Sequence, residues 1–261
     1  MLGAIAGDLV GSRFEARPTK NRDFELVTAQ CRITDDSVLS LAVAQSLMDD
    51  IPYADNLKAF FRRYPQAGYG GNFMLWAASG ESEPYYSFGN GSAMRVSTVG
   101  WYLNTEEDVL REAEQSAAVT HNHPEGIKGA QSVALAVFRA RQARGKEAIK
   151  QEIEERFCYD LSRSLRDIRP GYSFDVTCQG SVPEALIAFL EAEDFEDTLR
   201  NAVSLGGDSD TQACIAGAVA EALYGDIPAS LCEAVFQNLD AFQTDILERF
   251  LQQTQGKARP C

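Results

Sequence analysis

Gly206-Gly207-Asp208-Ser209-Asp210-Thr211-Gln212-Ala213-Cys214-Ile215-Ala216-Gly217-Ala218-Val219-Ala220 begins with two glycines and two carboxylates and ends in an unbroken apolar run, Ala213 to Ala220. Ala213 and Gly217 fall on one stripe of a helical repeat, and Ala216 and Ala220 on the next, so a helix is expected over 211–224. Its small residues let another backbone come close. A matching stripe stands at the other end of the chain, where Gly3, Gly7 and Gly11 recur at i, i+4, i+8. Glycine inside a helix costs about 1 kcal/mol relative to alanine. Three on one face therefore point to close backbone approach, or to a ligand lying against that face.

Outward from these two helices the dominant period remains helical. Leu57, Phe60, Phe61 and Tyr64 follow i, i+3, i+4, i+7. Thr105 and Asp108 resemble a capping box opening a helix toward Ala118. Pro124 opens a long helix to about Arg144, and further helices are expected at 146–157, 182–192, 195–204, 228–239 and 242–252. Alternating stretches are scarce; Glu25–Val27 and Ser173–Thr177 are the best strand candidates and predict at most a minor hairpin. No Pro/Ser-rich linker interrupts residues 1–261, so the expectation is all-α and one domain.

Composition removes several functional classes. With 24 Lys plus Arg against 38 Asp plus Glu the net charge is −14, which opposes non-specific binding to nucleic acid or an anionic membrane. Hydrophobic residues at 45% and charged residues at 24% are ordinary globular usage. The longest apolar run has eight residues, where a membrane span needs about 20. The N-terminus lacks a positive n-region, so no signal peptide is read. Cys31, Cys158, Cys178, Cys214, Cys232 and Cys261 form no CxxC pair. Free thiols in a reducing cytoplasm are the expectation, with Cys158, Cys178 and Cys214 acting as small buried hydrophobes.

Two segments carry the chemistry. Ile33-Thr34-Asp35-Asp36-Ser37 precedes the apolar run Val38–Leu47, and Gly206–Thr211 precedes Ala213–Leu223. Each has two carboxylates and a hydroxyl at a loop-to-helix junction. A helix cap needs one such residue and is worth about 1 kcal/mol; the surplus asks for another purpose. If the junctions converge, charges about 4 Å apart repel by roughly 4 kcal/mol at an effective dielectric of 20. Protons, cationic side chains or metal ions must then compensate. Oxygen donors without Cys or His suit a hard cation, Mg²⁺, Mn²⁺ or Ca²⁺, rather than zinc. Four aspartates and two threonines exceed what one Mg²⁺ ordinarily takes, which points to a two-metal site.

These residues form part of a larger ordered set: Gly3-Ala4-Ile5-Ala6-Gly7-Asp8 with Gly11 and Glu15, Thr34-Asp35-Asp36-Ser37, Gly89-Asn90-Gly91-Ser92-Ala93-Met94-Arg95, Thr120-His121-Asn122-His123-Pro124-Glu125, and Gly206–Thr211. Five blocks in this order resemble the ADP-ribosylglycohydrolases, which include the dinitrogenase reductase-activating glycohydrolases. The resemblance runs from residue 3 to about 225. It implies a compact all-α orthogonal helical bundle with a binuclear Mg²⁺ or Mn²⁺ centre, hydrolysing the N- or O-glycosidic bond between ADP-ribose and a protein side chain, arginine by analogy with serine or another acceptor open. By the same resemblance Thr34, Asp35, Asp36, Asp208, Asp210 and Thr211 are metal ligands, and Glu15, Asp35 and Asp208 are the catalytic candidates. One departure stands: Ser97-Thr98-Val99 occupies the place where a proline usually follows the Met-Arg pair. The oxocarbenium-like transition state of ribosyl cleavage agrees with a carboxylate-rich cleft.

Gly89, Asn90, Gly91 and Ser92 form a turn before a helix near Ala93, and their successive amides could cradle a diphosphate; an ordinary capped turn is the plainer account. Arg95 is read as structural. His121 and His123 are the only histidines, and an HxH pair without a third ligand is a poor zinc site. The resemblance places His121 against adenine. The rings of Tyr69, Phe73, Tyr85, Tyr86 and Phe88 are read mostly as core, and Arg139, Arg141, Arg144 and Lys146 as a solvated helix end. The expected substrate is ADP-ribosylated protein or ADP-ribose, handled by a monomer. The competing readings are a non-catalytic ADP-ribose-binding protein and a hydrolase of a free ADP-ribosyl metabolite.

Overall fold

The computed structural model describes residues 1–254. Fifteen helices lie among them. The first six are α1 (Leu2–Gly11), α2 (Asp35–Asp49), α3 (Tyr53–Arg63), α4 (Gly71–Ala78), α5 (Gly91–Met94) and α6 (Ser97–Tyr102). Then come α7 (Glu106–Ala118), α8 (Pro124–Arg141), α9 (Lys146–Phe157), α10 (Leu165–Ile168) and α11 (Cys178–Leu190). The last four are α12 (Phe195–Val203), α13 (Ser209–Tyr224), α14 (Ala229–Asn238) and α15 (Ala241–Thr254). The architecture is all-α. The expected hairpin is absent among the described residues: Glu25–Val27 is irregular, and Ser173–Thr177 contributes one isolated antiparallel bridge, Gly89 to Thr177. Local alternation there had no partner strand to pair with.

Helix α13 is the hub, buried from Ser209 through Ala222 and packed against α1, α8, α11 and α12. Its closest neighbour is α1. A Cβ on Gly7 would lie 2.0 Å from the Ala213 carbonyl oxygen, and one on Gly3 2.5 Å from that of Gly217. The two glycine stripes therefore face each other, which brings the first and last chemistry-bearing blocks side by side. Glu221 anchors the same pair by accepting from the Gly3 amide at 2.9 Å.

Several boundaries moved. Helix α11 begins four residues before the expected Val182, because Thr177 caps it by accepting from the Gly180 amide, and Pro183 lies inside it. Helices α4 and α6 were not anticipated. Cys158 is exposed rather than buried and ends α9 with φ 55°; Cys178 and Cys214 are buried free thiols, and Cys261 lies outside the described residues. The basic stretch is solvated only in part: Arg144 is exposed, whereas Arg139 and Arg141 are engaged by neighbouring elements. Arg139 reaches Glu106 and Glu152, and buried Arg141 donates to the carbonyls of Trp101 and Leu103, tying α8 to α6, α7 and α9. No described helix is long and apolar enough to cross a membrane.

Candidate metal centre and ligand cleft

The two acidic junctions meet. Helix α2 starts at Thr34, whose hydroxyl accepts from the Asp36 amide, and this fixes Asp35 and Asp36 in the first turn. Helix α13 starts at Asp208, yet the Asp208 side chain makes no cap bond. It instead accepts from Asn90 Nδ2 at 2.7 Å. Capping thus accounts for the Thr34 junction in part and for Asp208 not at all. The turn into α13 requires Gly206 at φ +66°, where a side chain would also crowd Thr19 and Lys20.

Glu15, Asp35, Asp36, Asp208 and Asp210 line one cavity of about 350 Å³, together with Thr211, Asn90 and His121. Two carboxylate triads meet at its wall, Asp8–Asp36–Asp210, of which Asp8 is fully buried and does not line the cavity, and Glu15–Asp208–Asp210, with oxygens inside each triad within 4.8 Å of one another. They share Asp210. Thr211 Oγ1 donates to Asp36 at 3.3 Å. Thr34 Oγ1 donates to Asp8 at 2.7 Å. Asp35 lines the cavity but stands outside both triads.

Asp8 was not singled out by the spacing argument. It is the one charged residue of α1, fully buried, and accepts from the Thr34 amide at 3.0 Å, the Ser37 amide at 3.2 Å and the hydroxyls of Thr34 and Ser37. It ties α1 to the start of α2. A lone carboxylate in an otherwise apolar helix was the available signal.

Crowding and burial shift all of these groups toward their neutral forms. Burial raises Asp8 despite the donors from Ser37 and Thr34, and raises Glu15 with the Asp208 charge adding to it. Burial and then Asp8 push Asp35 up to about 8. Asp36, Asp208 and Asp210 rise for the same first reason, burial. A carboxyl raised in the folded state contributes stability below its unfolded value and loses it as pH climbs through the folded one. For Asp35 that window runs from about 4 to about 8. Among the described residues no lysine or arginine forms an ion pair with any of the six. Asp36 Oδ1 is buried without a hydrogen-bond partner. An all-oxygen donor set with an orphaned carboxylate oxygen fits a hard divalent cation.

The expected diphosphate cradle is only partly open. The Asn90 amide donates to the Val176 carbonyl at 2.7 Å and the Gly89 amide to Ser87 Oγ at 3.1 Å. Ser92 does not line the cavity; its buried hydroxyl donates to the Gly126 carbonyl at 2.8 Å and secures α5 on α8. Asn90 lies at the cavity wall with its amide side chain held between Asp208 and Ser181. His121 is buried at the cavity edge, with Tyr85 edge-on at 5.8 Å. Tyr69 and Phe73 are core, whereas Tyr86 and Phe88 are exposed around His123.

The chain has extensive relatives. A family profile described as ADP-ribosylglycohydrolase matches residues 1–259. ADP-ribosylhydrolase ARH3 of Homo sapiens is 26% identical over 334 residues, covering 96% of this chain and 91% of that protein. The ADP-ribosyl-[dinitrogen reductase] glycohydrolase of Rhodospirillum rubrum is 28% identical, covering 76% of this chain and 71% of that one. Among solved structures, an ADP-ribosylglycohydrolase-related protein complex superposes with a TM-score of 0.74 at 26% identity, covering 98% of this chain and 97% of that chain.

Proposed function

The chain belongs to the ADP-ribosylglycohydrolase family, and on that premise we propose that it is a metal-dependent hydrolase of the glycosidic bond between ADP-ribose and a protein side chain, holding two divalent cations, Mg²⁺ or Mn²⁺. The observation that carries this reading is the pair of carboxylate triads sharing Asp210, all of whose members but the buried Asp8 line the cavity that His121 and Asn90 also line. Asp36, Asp208, Asp210, Thr34 and Thr211, with Asp35 and Glu15 at the cavity wall, would hold the cations. When bound, these would neutralise the cluster, orient the ribose hydroxyls and acidify water.

The protein's own groups have separable tasks. Carboxylates facing the anomeric centre stabilise oxocarbenium character as the ribosyl bond breaks. Glu15, half-buried and raised above the ordinary glutamate range by burial and by Asp208, is shifted in the direction that general acid–base work calls for. Asn90 holds Asp208 in place, and Asp8 holds Thr34 and Ser37. His121 and Tyr85 offer a ring-lined wall for the nucleoside end.

The test is a panel of arginine-linked and serine-linked ADP-ribosyl peptides, ADP-ribosylated nucleic acid and a free ADP-ribosyl metabolite, each with and without chelator. The expected result is release of ADP-ribose from a peptide conjugate with Mg²⁺ or Mn²⁺, abolished by chelator. Release from none of them, with ADP-ribose still bound, would replace this reading with that of a binding protein.

A further inference from the structure

Arg95 is wholly buried between the cavity and α7. Its Nη2 donates to the Ser116 carbonyl at 2.9 Å and to Thr120 Oγ1 at 2.8 Å, while Nε and Nη1 have no hydrogen-bond partner. Thr120 Oγ1 in turn lies 2.7 Å from His121 Nδ1. A hydroxyl has one proton to give. With one lone pair taken by Arg95, that proton can go to His121 Nδ1 at 2.7 Å, to the Ala117 carbonyl at 3.5 Å or to the Tyr85 hydroxyl, and 2.7 Å is the length of a bond given by a hydroxyl, where a ring N–H donating to oxygen centres near about 2.9 Å. The guanidinium charge polarises the hydroxyl and strengthens it as a donor.

An Nδ1 that accepts a proton bond cannot carry a proton, so the neutral ring must carry its own on Nε2. Burial, reinforced by the Arg95 charge, keeps the ring neutral. Nε2 faces the turn that lines the cavity. A Cβ at Gly89 would lie 3.4 Å from Nε2, and one at Gly91 3.3 Å from it, so these glycines keep the space before that nitrogen open.

We propose that Arg95 and Thr120 form a relay that fixes His121 as the Nε2–H tautomer, making it a hydrogen-bond donor to an oxygen of the ligand bound in the cavity. Arg95 and Thr120 are positioning residues. The identity of that ligand, ADP-ribose, rests on the function proposed above; the tautomer does not.

Two-bond proton–nitrogen correlation spectra of ¹⁵N-labelled protein read both ring nitrogens directly. With two histidines in the chain, His123→Asn assigns the signals. Wild type is expected to show His121 protonated at Nε2, with an Nδ1 shift displaced by an accepted hydrogen bond. Thr120→Val should remove that displacement and raise the calorimetric Kd for ADP-ribose on the order of tenfold, the size of one charged hydrogen bond. Thr120→Ser should restore both. A wild-type Nδ1–H tautomer, or a Thr120→Val protein with unchanged Nδ1 shift or unchanged Kd, would overturn the relay. Failure of wild type to bind ADP-ribose would instead strike the functional reading, with the spectra still deciding the tautomer.

Discussion

Replacing Asp208 by alanine is expected to lower ADP-ribose release on the order of 10³-fold without unfolding the protein. Partners that merely orient a metal ligand are worth about 10–100-fold, and Asp208 is a member of the Glu15–Asp208–Asp210 triad itself. Its side chain caps nothing, so the helix start loses no bond. Its charge raises Glu15, Asp35, Asp36 and Asp210, so removing it relieves repulsion. The chelated variant should therefore melt no lower than chelated wild type, while Mg²⁺ should stabilise it less. Turnover with saturating Mg²⁺, read beside the two melting curves, separates a catalytic loss from a folding loss. Activity within about threefold of wild type would remove Asp208 from the centre.

Gly7→Ala should be severely destabilising although it adds a single methyl group. The new Cβ would meet the Ala213 carbonyl oxygen at 2.0 Å, its carbon at 2.4 Å and the Cys214 amide nitrogen at 2.7 Å. All three are backbone atoms of a buried helix, so no side chain can swing aside. Alanine gains about 1 kcal/mol in helix propensity, but ordinary overpacking already costs about 1–3 kcal/mol. A backbone collision at this distance exceeds that range, and a net loss above about 3 kcal/mol is expected, or a melting temperature lower by roughly 6–12 °C. Activity should fall with it, because α1 carries Asp8 and leads to Glu15 while α13 carries Asp210. A melting temperature equal to or above wild type would show that α1 and α13 do not pack through their glycine stripes.

The same two stripes explain what could be read in advance. Gly3, Gly7 and Gly11 against Ala213 and Gly217 announce a close helix pair because small residues have few other uses at that spacing. The surplus of carboxylates at Asp35–Asp36 and Asp208–Asp210 announces a shared site because capping needs so few. The remainder depended on partners distant in sequence. Asn90 grips Asp208 from 118 positions away. Asp8 is legible as an oddity in an apolar helix, but its purpose appears only when Thr34 and Ser37 arrive from α2. Arg139 and Arg141 resemble a solvated face until Glu106 and Glu152 fold against the first and the Trp101 and Leu103 carbonyls against the second. Ser92 sits in a turn of anion-binding character, yet its hydroxyl is drawn to Gly126. Ser173–Thr177 alternates like a strand but gains only one bridge.

A calorimetric titration of Mn²⁺ into chelator-stripped protein at pH 7 puts the acidic cage to the test most directly. Saturable binding of about two ions per chain is predicted. It should release protons, seen as heat that varies with the ionisation enthalpy of the buffer, because Asp35, held at about 8, must give up its proton as a cation arrives. Absence of saturable binding at millimolar Mn²⁺ would contradict the assignment of these carboxylates to a metal centre.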